Sequence, residues 1–282
     1  MSTPESDPIV VTGMGAVTPL GVGVTTNWQR LTASASGIRF NDRFDVSGLT
    51  CKIAGLVPPK ARDDRGFDPL DFIDPKDIKK MDVFIQYGLG AAEEAIAQSG
   101  WRPETDAERE ATATVIATGV GGFPNMTDSA ITVKERGARR LSPFIVPSFL
   151  ANLAAGWVSI RHGFKGPLGT PVTACAAAAQ AIGDGMRLIR SGEAEVAVVG
   201  GAVGSIDPVT IGGFAAARAL STGYNDRPAE ASRPFDKARD GFVLAEGAAI
   251  LVIEKLSHAL KRGAEPLAVL AGYGTSADAY HL

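Results

Sequence analysis

The sequence predicts an α/β fold, and three observations lead there. Short apolar runs of strand length alternate along the chain with longer stretches of helical periodicity. The runs are apolar throughout, the pattern of a largely buried sheet. The 33 glycines among 282 residues, with many alanines, favour close backbone packing and tight turns. That length suffices for one large domain or two modest ones with a sizeable core.

Residues 9–12 read as a buried strand running into Gly13-Met14-Gly15. A dinucleotide fingerprint would place glycine three residues after Gly15. Thr18 stands there, followed by Pro19, so that reading is rejected. A helix is expected to start near Thr25 or Thr26, either of which could cap it. Residues 40–75, rich in Asp, Pro and Gly, read as an irregular excursion. The clearest helix is predicted over 79–99. Met81, Phe84, Ile85, Gly88, Ala92, Ala95 and Ile96 keep the i, i+3, i+4 rhythm, and Gly100 stops it. Residues 114–118 form a predicted strand ending in Gly119-Val120-Gly121-Gly122, and 150–161 a helix. After the Cys175 segment comes a helix ended by Gly192. Strands are expected at 195–199, 248–253 and 267–271, a polar loop at 221–240, and a short helix at 256–262. Val11-Thr12-Gly13-Met14-Gly15 is echoed by Leu270-Ala271-Gly272-Tyr273-Gly274. Each is an apolar strand running into G-x-G, as if a duplicated unit begins again near residue 270.

The composition is 45% hydrophobic and 21% charged, that of a globular protein. A net charge of −3 argues against nucleic-acid binding by the field of the whole molecule. Two cysteines far apart, Cys51 and Cys175, fit a reducing compartment and no disulfide framework. The first residues lack a basic and an apolar region, so no secretory signal is expected. No apolar run has the length of a membrane span. A cytoplasmic location follows as the expectation, with neither membrane nor nucleic acid as partner.

Cys175 lies in Pro171-Val172-Thr173-Ala174-Cys175-Ala176-Ala177-Ala178-Ala179-Gln180, between an apolar lead-in and a small-residue helix. The N–H groups and dipole of a helix start favour a thiolate, and the flanking alanines leave room for a substrate. A buried structural cysteine is the commoner alternative.

Beyond these patterns, a series of ordered segments carries a family resemblance. They are Val10-Val11-Thr12-Gly13-Met14-Gly15, Lys80-Met81-Asp82-Val83-Phe84-Ile85-Gln86-Tyr87-Gly88, Ser142-Pro143-Phe144, and Val172-Thr173-Ala174-Cys175. There follow Gly212-Gly213-Phe214, Ala217-Arg218-Ala219-Leu220-Ser221, Ser232-Arg233-Pro234-Phe235-Asp236-Lys237, Asp240-Gly241-Phe242-Val243 and Ser276-Ala277-Asp278-Ala279-Tyr280-His281. In these the chain resembles the β-ketoacyl-[acyl carrier protein] synthases of the thiolase superfamily, in particular the synthase II branch of fatty-acid elongation. The resemblance implies a thiolase-like layered αβαβα fold, incomplete here. Residues 1–265 would form the N-terminal ketoacyl-synthase half, and 266–282 the start of the C-terminal half.

The resemblance also implies the chemistry. Cys175 would take an acyl group from a carrier-protein thioester, and its backbone N–H would face the oxyanion. Malonyl-carrier protein would then lose carbon dioxide and attack the acyl-enzyme. No cofactor and no metal are implied. The partners implied are acyl- and malonyl-loaded acyl carrier protein and a second copy in a homodimer. By resemblance Val120 and Phe214 would line the acyl slot, though both could be ordinary core residues. Lys76, Lys79, Lys80, Arg139, Arg140 and Arg218 would dock the acidic carrier, against the alternative of a solvated charged face.

Several features depart from the family pattern. Its two histidine motifs, H-G-T and T-G-H, do not occur. His162 precedes Gly163-Phe164, His258 is expected on a solvated helix face, and His281 matches a position outside the catalytic pair. Val203 stands where the family usually has Glu, Ala245 where it has Gly, and Ala177 where Ser or Thr is common. The changes at 203 and 245 would strain the backbone if φ were positive there. The alternative reading is a catalytically incomplete fragment, or a non-catalytic partner subunit that binds acyl chains or carrier protein. A thiolase acting on coenzyme A esters is a third reading. Half of a duplicated fold would also expose an apolar face and sheet edges, predicting poor solubility or self-association. Asp184 reads as a helix-surface residue.

Overall fold

The structure, a computed structural model, describes residues 7–280. The chain opens with strand β1 (Ile9–Thr18), β2 (Gly21–Val22) and helix α1 (Val24–Thr32). An excursion follows, with the β3 (Ile38–Phe40) and β4 (Ile53–Gly55) hairpin and the one-turn helix α2 (Pro75–Ile78). Next come α3 (Val83–Ser99), α4 (Asp106–Glu110) and β5 (Thr112–Ala117). Helices α5 (Phe123–Arg136), α6 (Ile145–Phe149) and α7 (Leu153–His162) lead to β6 (Leu168–Gly169). The remainder is α8 (Ala177–Ser191), β7 (Val196–Val203), α9 (Pro208–Ala216), β8 (Gly247–Lys255), α10 (Leu256–Lys261) and β9 (Ala268–Val269).

The main sheet has the order β2-β1-β8-β7-β5-β6, with β9 also paired to β1. Strands β5, β6 and β7 are parallel; β8 is antiparallel to both β7 and β1. Helices α3 and α7 cover one face, where Phe84, Ile85, Leu89, Val158, Val198 and Ile250 share one core. Helix α8 covers the other, with Ala181, Met186 and Ile189 on Val115, Ala197, Val199 and Ile253. A third cluster joins the excursion to α9 through Ile53, Leu56, Ile206 and Ile211. The α/β expectation therefore holds, with a mixed sheet between two helical layers.

The N-terminal strand continues through Gly13-Met14-Gly15 to Thr18, beyond the predicted end, with a bulge between Val11 and Gly13 in its pairing with β8. The glycines serve close approach, not a turn. A Cβ on Gly13 would lie 2.0 Å from the Ala95 carbonyl oxygen, and one on Gly15 1.9 Å from that of Ala91. With α3 this near, its polar side chains reach the strand: Gln98 accepts from the Met14 N–H at 2.7 Å and Glu94 from the Ala16 N–H at 2.9 Å. Helix α1 is capped by neither threonine. Gly23 occupies the cap position, and Glu94 accepts from the Val24 N–H at 2.7 Å.

Helix α3 starts at Val83, four residues later than predicted, because Asp82 caps it and α2 forms a separate turn capped by Asp74. All seven predicted periodic residues are buried, Met81 from the turn before the helix. Gly100 ends α3 in the left-handed region, φ 65°, and Gly192 ends α8 likewise, φ 80°. The strand expected at 267–271 is only two residues long, and 270–274 is not a strand. Tyr273 instead lies over α8, its ring against Gly183 and under the Arg187 guanidinium at 5.0 Å. Neither Val203 nor Ala245 has a positive φ, so the expected strain is absent.

Candidate active site

The parallel strands β5 and β7 end beside the first turn of α8. A Cβ on Gly201 would sit 2.8 Å from the Ala178 Cβ and 3.3 Å from the Ala117 carbonyl oxygen. Cys175 occupies a 3₁₀ turn, Ala174–Ala176, that leads into this helix. Ala174, just before it, has φ 50°, a conformation that costs a residue bearing a Cβ about 1–2 kcal/mol. Ala176 at the cap position offers no side-chain acceptor, so no side chain neutralises the first-turn N–H groups of α8. The thiol is exposed. The buried alternative describes Cys51, which is fully enclosed, contacts the Ile53 carbonyl at 3.5 Å, and has its thiol pKa pushed up by burial.

Beside α8, a cleft of about 540 Å³ lies between the sheet edge at β6 and the outer helix face. Asp184 is in its wall, 3.0 Å from Arg187, and Gln180 bridges Asp184 to Thr173. Asp184 is thus a helix-surface residue that takes part in a polar chain lining a cleft. Val120 stands on the loop after β5, 53% exposed. Phe214 is 40% exposed on α9, its ring edge-on to Phe242 at 5.2 Å. Neither is in the wall of this cleft.

The basic residues separate into groups. Lys79 and Arg140 share a second cleft of about 220 Å³ with Asn125, Asp128, Ser142, Phe144 and Ser148. Lys80 lies over the Phe144 ring at 5.4 Å and is paired to Asp77 at 2.6 Å. Lys76 is paired to Asp74 at 2.9 Å. Arg139 adjoins Arg140 in a 3₁₀ turn. Arg218 lies apart, after α9, with φ 55°.

The histidines are held by carboxylates. His162 Nε2 is 3.2 Å from Glu93 on α3, its ring stacked on Phe164. His258 is not on a solvated face. Its Nδ1 is 2.5 Å from the buried Glu254, and its ring lies edge-on to Trp101. His281 lies outside the described residues.

Sequence reasoning missed two polar joints. Glu246 is enclosed and binds Arg43 through both carboxylate oxygens, accepting also from Tyr87 Oη at 3.0 Å and the Val57 N–H at 2.9 Å. Asp82 accepts from the Phe84 N–H at 3.4 Å with one oxygen and the Asn125 N–H at 3.0 Å with the other. An Asp directly before an apolar helical run is a legible cap. The second bond, across 43 residues, left no signal in sequence.

This layered arrangement is the thiolase-like fold, and its structural neighbours are ketosynthases. Over 97% of this chain and 64% of its own, the ishigamide ketosynthase/chain length factor matches with a TM-score of 0.85 at 31% identity. A β-ketoacyl synthase from Burkholderia phymatum matches at 0.84 and 28%, over 97% and 65%. The family model for the β-ketoacyl synthase N-terminal domain matches residues 6–259, and the chain belongs to that family. The 3-oxoacyl-[acyl-carrier-protein] synthase 2 of Rhizobium meliloti is 46% identical over 97% of this chain. The mitochondrial 3-oxoacyl-[acyl-carrier-protein] synthase of Arabidopsis thaliana is 42% identical over 97%. The chain spans 65% and 62% of the length of these two relatives.

Proposed function

We propose that the chain is the acyl-accepting part of a 3-oxoacyl-[acyl-carrier-protein] synthase of fatty-acid elongation. The observation that carries this is the exposed Cys175 thiol at a side-chain-uncapped helix start, next to a residue in the left-handed region. The Cys175 thiolate attacks the thioester carbonyl of the acyl-carrier protein. A tetrahedral oxyanion forms, for which the Cys175 N–H is a donor. The carrier thiolate leaves and takes up a proton, and the acyl group remains on sulfur. Val120 and Phe214 contact the acyl chain. Lys76, Lys79, Lys80, Arg139, Arg140 and Arg218 receive the acidic carrier. A structural neighbour at 30% identity is a type II PKS acyl-carrier protein in complex with its ketosynthase bound to the hexaketide.

Residues 1–265 constitute the ketoacyl-synthase half in this reading and 266–282 the start of the next, in keeping with a family match that stops at 259. The protein acts in the cytoplasm as a homodimer. Among the described residues no helix is long and apolar enough to cross a membrane. A second reading is favoured by departures from the family pattern within the chain, Ala177, Val203 and Ala245. In that reading the chain binds the acyl group or its carrier without completing the condensation.

The test is incubation with an acyl thioester and mapping of the adduct. Acylation at Cys175, abolished in Cys175→Ala, is expected; an adduct on Cys51 overturns the proposal. Malonyl decarboxylation by the chain alone would exclude the second reading.

A further inference from the structure

The loop that carries Val120 leads directly into α5, whose first turn is held by Asp82. The Asp82 N–H donates to the Ser148 carbonyl at 3.1 Å, tying the start of α3 to α6. Its carboxylate spans the Phe84 N–H of α3 and the Asn125 N–H of α5. Its Cβ fills the place a side chain at Gly122 would need, 2.8 Å from the ideal Cβ there. Gly122 in turn donates to the Phe149 carbonyl at 2.9 Å, and Gly121 to Thr118 Oγ1 at 3.3 Å. Asp82 itself is 2% exposed. An ordinary helix cap needs one acceptor within its own first turn. Here the second oxygen is used on another helix. Asp207, which caps α9, shows the ordinary case: its bonds go to Val209 and Thr210 of its own helix.

We propose that Asp82 is a positioning residue for acyl transfer: its carboxylate ties α3 to α5 and thereby fixes the first turn of α5 and the loop 119–122 that bears Val120. That loop follows Thr118, whose N–H donates at 3.3 Å to the carbonyl of Pro171 in the segment leading to Cys175. This rests on the acyl-transfer reading given above. The segment it holds is otherwise weakly anchored. Helix α5 contributes no buried residue, and Met126, Ile131 and Val133 are exposed.

Both bonds need the ionised carboxylate, since a protonated one offers a single strong acceptor. Burial pushes the Asp82 carboxyl up to about 6, against the pull of the Asn125, Phe84 and Val83 N–H groups, and Asp128 of α5 raises it further. Helix α6 presents only the Ser148 carbonyl to it, and the end of β7 presents Gly204, packed on Val83 and Phe84. Lys79 and Arg140 stand in the cleft that Asn125 and Ser148 also line, and Lys80 is paired with Asp77. The carboxyl titrates from 3.8 when unfolded to about 6 when folded, so its ionisation opposes global folding above that window while making the local tie. A carboxylate kept buried at a cost to the fold is a mark of a functional site when geometry agrees.

The experiment compares wild type with Asp82→Ser, which keeps a cap acceptor for Phe84 but cannot reach Asn125. Asp82→Asn and Asp207→Ser are made alongside. Amide exchange, corrected for intrinsic rate, is read at Gly122, Asn125 and Met126, together with the concentration dependence of Cys175 acylation. In Asp82→Ser at pH 7.5, exchange at these amides is expected to rise about tenfold or more. Amides of β5 and β7 should stay within about twofold. The thioester concentration for half-maximal acylation should rise several-fold with the maximal rate nearly kept. Wild type should lose the same protection between pH 7.5 and 5, and both Asp82 variants should show no such change. Asp207→Ser should leave residues 122–126 as they are. Unchanged exchange at Asn125, a loss spread evenly over β5 and β7, or raised exchange with an unaltered acylation profile overturns the proposal. If wild type takes no acyl group at all, the acyl-transfer reading falls, and exchange still decides whether Asp82 makes the tie.

Discussion

Glu254 on β8 and Arg262 beyond α10 form a two-pronged ion pair, Nε to Oε2 at 2.9 Å and Nη2 to Oε1 at 2.5 Å. Glu254 is fully buried, and Thr12 Oγ1 at 2.6 Å and His258 Nδ1 at 2.5 Å complete its shell. Arg262 also donates to the Ser99 carbonyl at 2.8 Å and lies over Trp101. One carboxylate thus joins β1, β8, α10 and the end of α3. Although burial opposes it, these donors hold the Glu254 carboxyl down to about 2, from 4.5 in the unfolded chain. Its stabilisation is therefore complete above the unfolded value and lost as pH falls through about 2. A shift of that size corresponds to roughly 3 kcal/mol. Arg262→Ala, which strands the carboxylate, is expected to cost about 3–5 kcal/mol, read by urea denaturation at pH 7. In that variant Glu254's share of the loss between pH 4.5 and about 2 should largely vanish. A midpoint shifted by only a few tenths of a kcal/mol would show the pair to be ornamental.

The approach of α3 to β1 gives a second expectation. Gly13→Ala and Gly15→Ala would each place a methyl about 2 Å from a backbone carbonyl of α3. The backbone of a central, buried helix cannot move aside cheaply. A loss of about 1–3 kcal/mol or more is expected for each, seen as a lower melting temperature. Gly48→Ala, where nothing lies within 4 Å, should be close to neutral by comparison. Equal melting of all three would mean that the helix does not sit this close.

What the sequence made legible was local. The rhythm of Phe84, Ile85, Ala92 and Ile96 marked a buried helix, and the helix ends at Gly100 and Gly192 needed only a left-handed residue. The Cys175 turn was legible from its alanines and its place before a helix, and the buried cysteine reading turned out to fit Cys51. What stayed hidden was set by distant partners. Asp82 ends the turn at 79–82 because α5 and α6 meet it there, which residues 79–99 alone do not reveal. His258 reads as solvated from its place within a short helix; Glu254 of β8 and Trp101, just beyond α3, enclose it. The first strand reads as ending at residue 12, because glycines that let a helix pass close over a strand carry no strand signal of their own in the sequence.

The basic residues differ in their freedom to meet an acidic partner, and the docking proposal makes them unequal. Lys76 and Lys80 already face Asp74 and Asp77, whereas Lys79 and Arg140 have no carboxylate within salt-bridge distance among the described residues. An exposed pair must be broken or shared before its lysine serves a new anion, which removes much of the gain. Lys79→Glu and Arg140→Glu are therefore expected to slow association with acyl carrier protein about tenfold each at low salt, and to flatten its dependence on ionic strength. Lys76→Glu should have a smaller effect on the rate. Stopped-flow association at several salt concentrations separates these cases. A rate and salt dependence indistinguishable from wild type in the Lys79→Glu, Arg140→Glu double variant would place the carrier elsewhere on the surface. A larger effect at Lys76 than at Lys79 would show that ion pairing inside the chain does not decide which cations are available.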